Sequence, residues 1–206
     1  MRKQGLYWPE FEHDNCGAGF ICSLRGVTSN DIIEKALDIL EKLEHRGAVS
    51  ADGKTGDGAG ILIDIPHAFF KNKCDFPLPE AGDYAAGNVF LPPSPNQRDF
   101  CIRTFEKHCK NAGLELLGWR DVPVDREVPG RIASETAPYV KQVFLSLKTR
   151  SGDSLDLERK LFIARKKTEH EIQASRLSES GYIYSPSLSP RIIIFKGLLM
   201  PLDIRR

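Results

Sequence analysis

Three short stretches of this 206-residue chain carry residue types that could do chemistry. The first is "HDNCGAGFICSL", residues 13–24, in which Cys16 is followed by Gly17, Ala18 and Gly19 and then by an apolar run. A thiol attacks carbon well only as thiolate, so a catalytic cysteine needs a base or a lowered pKa. His13 is near in sequence, but three residues of extended chain do not bring an imidazole to the thiol. The other solution makes cysteine residue one, with its own α-amine as base. An α-amine has a pKa of about 7.7–8.0, so it can accept a proton near neutrality, and covalent attachment fixes the geometry. Gly17 and Gly19 would let substrate and backbone come close to that end. The bland alternative is a small buried core residue.

The second stretch is "GAVSADGKT", residues 47–55, which resembles a phosphate-binding loop without being one. That loop needs four residues between its first glycine and Gly-Lys-Thr, so that successive N–H groups wrap one phosphate. Here five separate Gly47 from Gly53, and a helix precedes the loop where a strand should. The nucleotide reading is set aside. The third is "LEHRG", where Arg46 and Gly47 close a helix and precede "TGDGAG". Arg46 could simply complement the helix dipole, and Gly47 could be a left-handed C-terminal cap. Asp57 is a polar residue in a glycine turn and is given no catalytic role. Arg165, Lys166 and Lys167 read as a solvated helix face.

Composition narrows the classes. Hydrophobic content of 41%, 28% charged residues and a formal net charge of +1 describe a globular chain with no call for nucleic acid or an anionic membrane as partner. No apolar run approaches the 18 or so residues of a membrane span, and residues 1–15 lack the apolar middle of a secretory signal. A cytoplasmic location is expected. The five cysteines (16, 22, 74, 101, 109) are irregularly spaced, with no CxxC to suggest zinc or thiol exchange. Cys22, Cys74, Cys101 and Cys109 are expected to be small buried hydrophobes.

The elements that must position these residues follow from periodicity. "GFICSL" reads as a buried strand. Residues 28–47 change to helical period, with Ile33, Ala36, Leu37, Leu40 and Leu43 on one face and caps on offer from Thr28 to Asp31. A second buried strand is expected over 61–65, and a short helix opened by Pro66 follows. "NVFL" reads as a strand, "RDFCIRTFEKHCKNAG" as a helix closed by Gly113, and "LELLGWRDVPVD" and "KQVFLSLKT" as further strands. "LDLERKLFIARKKTEHEIQ" reads as a helix charged on its outer side. "GYIYSPSLSPRIIIFKGLLM" holds two strand-like runs about a proline turn. Strands too apolar to be half-exposed imply sheet covered by helices, in a chain that no linker divides.

The sequence as a whole resembles a known family. "GLYWPEFEHDNCGAGFICSL" and "ALDILEKLEHRGAVSADGKTGDGAGILIDIP" look like the amino-terminal class II glutamine amidotransferase domain of the glutamate synthase large chain. The likeness is dense over residues 5–66 and looser over "VKQVFLSL" and "YIYSPSLSPRIIIFKGLL". It implies an α/β (α+β) fold, the four-layer α/β/β/α sandwich of N-terminal-nucleophile hydrolases, here incomplete. It implies that residues 1–15 are a propeptide-like leader whose removal exposes Cys16 as nucleophile, and that residues 16–206 are the front half of the amidotransferase domain. Arg46 and Gly47 fall on the Arg-Gly pair that supports the site, and "TGDGAGILI" on the strand beside it.

The implied reaction is release of ammonia from glutamine, for formation of glutamate from 2-oxoglutarate in the complete enzyme. FMN and an iron–sulfur cluster are implied for that enzyme, and no cofactor or metal for these residues. The implied partners are glutamine and the remaining synthase domains, or a second polypeptide supplying them. The family's Asn-Gly oxyanion pair and its arginine-rich strand find no match here, so residues 1–206 alone are expected to be inactive. Two other classes stay open: a non-catalytic interaction subunit or truncated gene product, and an N-terminal-nucleophile amidotransferase with another acceptor.

Overall fold

The computed structural model describes residues 17–149, 153 and 155–205. Cys16 and the leader lie outside the described residues. The described chain is mixed α/β, with two small sheets whose pairings are all antiparallel.

Helix α1 spans Asn30–Lys42 and runs into a 3₁₀ turn, Glu44–Arg46. Its period is the one the apolar spacing dictates, with Leu37 buried and Ile33, Ala36, Leu40 and Leu43 half-buried along the expected face. Ser29 takes the N-cap position with extended backbone but makes no side-chain cap bond. Asp31 instead accepts from Lys35 Nζ at 2.6 Å, one turn on. Strand β1 (Ala59–Asp64) and helix α2 (His67–Lys73) follow, the latter with Pro66 at its cap.

The central sheet is built from β2 (Tyr84–Leu91), β3 (Leu114–Asp121) and β4 (Tyr139–Leu147), in the order β2-β4-β3. Between them come helix α3 (Pro95–Asn111) and the short α4 (Arg131–Glu135). Helix α5 (Asp156–Ala174), strand β5 (Ile192–Gly197) and α6 (Pro201–Arg205) complete the chain. Helix α3 ends as its sequence requires, with Gly113 at φ +78°, where a side chain would strain the backbone.

β2 is buried along nearly all its length and β4 from Gln142 to Ser146 because both their faces are covered. Alternate residues point to opposite sides. Ala85, Val89, Leu91, Val143 and Leu145 pack against Cys101, Phe105 and Cys109 of α3 and Leu157, Leu161 and Ala164 of α5. Tyr84, Ala86 and Phe144 face the other way, onto Phe70 of α2 and Ile193 of β5, with Ile63 and Phe195 beside them. Asn88 is 3% exposed and crosses between the sheets, its Nδ2 donating to the Ile194 carbonyl at 2.7 Å.

Several expectations are corrected here. "GFICSL" forms no strand; Phe20 is 89% and Leu24 98% exposed. A strand exists only by its ladder, and among the described residues nothing pairs with this segment. Cys22, expected inside, is exposed for the same reason, whereas Cys101 and Cys109 are buried and Cys74 is half-buried. Strand β1 ends at Asp64, and Leu62 is 56% exposed, so it is covered on one face alone. In the C-terminal stretch the second apolar run is β5, paired with β1 from Ala59↔Gly197 to Asp64↔Ile192. The first run makes only isolated bridges to β2, Phe90↔Tyr184 and Ala86↔Ser189. Between these bridges Gly87 approaches the chain so closely that a Cβ would overlap the Ser187 carbonyl. Helix α5 is not uniformly charged outside: Phe162 and Ile163 are exposed, and Arg165 is half-buried with Nη1 donating to the Ser185 carbonyl at 3.3 Å.

Candidate active site

The motifs read from the sequence meet at the C-terminal end of α1. Gly17, the residue after Cys16, lies against that end: a Cβ there would be 3.3 Å from both Arg46 Cβ and Leu43 Cδ2. Gly19 lies one turn earlier on the same helix, against Ile39. The small residues of "GAG" therefore serve close approach to α1. Larger side chains at 17 or 19 would push this segment off α1 and the turn that follows it.

The turn that carries Arg46 is tight. Arg46 N–H donates to the Leu43 carbonyl at 2.8 Å, and Gly47 N–H to that of Glu44 at 3.0 Å. Arg46 itself is exposed. Gly47 is not the left-handed cap its position suggests; its φ of −90° and ψ of 162° are ordinary extended values. What a side chain at 47 would meet is Asp57, whose Oδ1 lies 3.2 Å from the Cβ position. The glycine answers to crowding and not to φ. Asp57 is tied back in turn, its N–H donating to the Ala48 carbonyl at 3.1 Å.

The loop 47–57 folds on itself. Val49 bridges Gly56, Ser50 N–H donates to the Thr55 carbonyl at 2.8 Å, and Gly53 turns at φ +70°. Its centre is filled by the carboxylate of Asp52. Oδ1 accepts from the N–H groups of Lys54 at 3.1 Å and Thr55 at 2.8 Å, and Oδ2 from Thr55 Oγ1 at 2.6 Å and Ile132 N–H at 3.1 Å. These bonds, the Thr55 hydroxyl first, hold the Asp52 carboxyl far below the usual carboxylate range. In a phosphate loop such N–H groups would face an anionic ligand; here they face the protein's own. Two glycines of "TGDGAG" serve close packing: a Cβ on Gly56 would lie 2.7 Å from the Leu199 carbonyl carbon, and one on Gly60 2.7 Å from Lys196 Cβ, whereas Gly58 takes a positive φ of +133°.

Asp52 and Thr55 escaped the sequence reading. Asp before Gly is a turn signal, but the partners at Ile132 and Ala133 are about 80 residues away and leave no local trace.

Residues 16–206 match the family described as "Glutamine amidotransferases class-II". The chain belongs to that family. The large chain of glutamate synthase [NADPH] from Bacillus subtilis is 40% identical over 201 residues, which is 97% of this chain and 13% of that protein. Glutamate synthase [NADH] from Saccharomyces cerevisiae is 37% identical over 214 residues, 98% of this chain and 10% of that protein. Ferredoxin-dependent glutamate synthase 2 of Synechocystis is 37% identical over 199 residues, 95% and 12% respectively. The chain thus spans a small part of the length of these relatives. In this class II amidotransferase, the matched region opens at Cys16. Among the described residues no group of three or more His, Cys, Asp or Glu is placed to hold a metal.

Proposed function

We propose that this chain is the glutaminase part of a glutamate synthase, working through Cys16 as an amino-terminal nucleophile. The observation that supports the reading is the contact of Gly17, the residue after Cys16 in sequence, with the Leu43–Arg46 turn. The α-amine of Cys16 takes the thiol proton, and the thiolate attacks the side-chain amide carbon of glutamine. The C–N bond breaks, the nitrogen leaves as ammonia with that proton, and a γ-glutamyl thioester remains. Water, deprotonated by the same amine, hydrolyses the thioester to glutamate and restores the thiol. Residues 1–15 are a leader removed to free that amine, and residues 16–206 belong to the amidotransferase domain.

Arg46 supports this chemistry by charge. Its side chain is exposed and its Cβ and Cγ lie against Gly17, so a permanent positive charge is carried at that end of the segment. Gly47 supports it by being small enough to admit Asp57. The four-layer α/β/β/α reading is supported by apolar clusters on both faces of β2 and β4, and by α1 and α6 lying against β1. In the complete enzyme the ammonia would pass to 2-oxoglutarate, with flavin and iron–sulfur chemistry on the remaining domains. A cytoplasmic location fits this reading, and among the described residues no helix is long and apolar enough to cross a membrane.

The test uses the protein as expressed from its gene. Intact mass of an active preparation should show residues 1–15 gone. A glutamine-like diazo ketone should label Cys16 and leave Cys22 and Cys101 unlabelled. Cys16→Ser should abolish glutamine-dependent turnover and spare ammonia-dependent turnover. An active preparation still carrying Met1, or equal labelling of Cys22, would overturn the assignment.

A further inference from the structure

Helix α5 carries apolar residues on two sides. Leu157, Leu161, Ala164 and Ile172 lie on its inner face, in the core that covers β2 and β4. A helix with one buried face should be polar on the other. This one is not. Phe162 is 56% exposed, Ile163 45%, and Leu155, just before the helix, 47%. Helical spacing puts these three in one outward stripe with Arg159, Lys166 and His170, all of them exposed. Among the described residues no acid stands in that stripe; Glu158 and Glu169 lie to one side of it, half-buried. Phe162 is backed from within: the Arg165 guanidinium, bonded to the Ser185 carbonyl, lies 5.9 Å from its ring centroid.

We propose that the outward stripe of α5 is an interaction surface whose partner is the rest of the synthase, met through an apolar patch rimmed by carboxylates. The proposal rests on the function proposed above. The inner face of α5 is already covered, so its outward apolar side chains are no gap in this domain's own core; they fit a second surface. Such a surface is at hand, since the relatives described above hold most of their length outside the matched region. Charge argues against two other occupants. A two-fold contact between copies sets the stripe against itself and brings Arg159 and Lys166 toward each other with no acid to face them. An anionic membrane would draw on free cations, yet Arg159 is paired with Asp153, and Lys166 Nζ with Glu169 at 2.7 Å. A protein partner asks for cations only at the rim, where such pairs persist beside an apolar centre.

The experiment places a photoreactive benzoylphenylalanine at position 162 of the complete synthase, and mass spectrometry identifies what it joins on irradiation. The expected product is a cross-link to a synthase peptide outside residues 1–206, with Asp or Glu beside its apolar residues. In a second arm, Phe162→Ser is combined with Ile163→Ser; both positions are exposed, so the fold has little to lose. Labelling of Lys166 by an amine-reactive reagent should then rise about tenfold over wild type, as loss of an aromatic anchor would allow. A cross-link within residues 1–206 of the same or another copy, a lipid adduct, or no cross-link overturns the proposal. So does Lys166 labelling that the double variant leaves unchanged. Should the photoreactive protein not accumulate, the lysine labelling decides alone. A wild-type preparation that makes no glutamate from glutamine and 2-oxoglutarate overturns the reading beneath it, a different failure.

Discussion

Gly19 faces Ile39 of α1 so closely that a Cβ at position 19 would overlap Ile39 Cγ2. The segment entering from Cys16 is therefore registered on α1 by the absence of a side chain. Gly19→Ala should force Ile39 or the segment to shift, at a cost of about 1–3 kcal/mol if the helix holds its place. Thermal unfolding would measure the loss. Ile39→Ala in the same chain should recover part of it, a coupling that a double-mutant cycle reads directly. Additive losses would mean that the two residues do not press on each other.

Asn88 joins the two sheets through one buried hydrogen bond to the Ile194 carbonyl. Asn88→Ala leaves that carbonyl without its donor, so a loss of about 1–3 kcal/mol is expected in denaturant unfolding. Asn88→Asp should be worse, since it turns a carboxylate oxygen toward the carbonyl. Equal stability of the Asp and Asn proteins would contradict the assigned donor.

The Asp52 carboxyl is depressed far below its unfolded value of about 3.9, so its folded form binds fewer protons than its unfolded form in acid. Its contribution is therefore present above about pH 4 and is lost as pH falls through the folded value. Between pH 5 and pH 2 the wild-type protein should lose more stability than Asp52→Asn, measured by urea midpoints at each pH. Parallel curves for the two proteins would show that Asp52 is not held as described.

Arg205 of α6 is gripped by three carboxylates of α1: Nη1 by Glu34 at 2.7 Å, Nη2 by Asp38 at 2.6 Å, and Nε by Glu41. These acids occupy successive turns of one face, so removing the guanidinium leaves them to repel one another. Arg205→Ala should lower the unfolding temperature modestly, and the difference should shrink in high salt. A salt-independent difference would mean that Arg205 acts by packing.

Helices α1, α3 and α5 were legible because their instructions are local: a 3.6-residue apolar period and, for α3, a glycine at φ +78° after its last turn. The start of α3 at Pro95 was not, since its prolines read as a loop. β4 and the second half of β2 were legible as strands because covered faces favour apolar residues on both sides, as in "NVFL" and "VFLSL". "GFICSL" has the same composition, yet composition cannot supply the neighbour that a strand needs. Gly47 was misread for a related reason. Its place after a helix suggested a left-handed cap, but Asp57, ten positions on, sets the requirement. At the candidate site, Cys16 and Arg46 stood out by residue type and by family likeness. Asp52 did not, because an aspartate in a glycine turn looks the same whether or not a helix from elsewhere rests on it.

Ile194 lies in β5 opposite Leu62 of β1. Its carbonyl is taken by Asn88, and its N–H donates to Ser187 Oγ at 2.9 Å. Both of its outward backbone groups are thus spent on side chains, and the rim of β5 is shut at that point to any newcomer strand. The ribbon made by β1 and β5 has a direction of growth. Another strand, from this polypeptide or a different one, has no backbone offered to it at Ile194 and would have to join along β1.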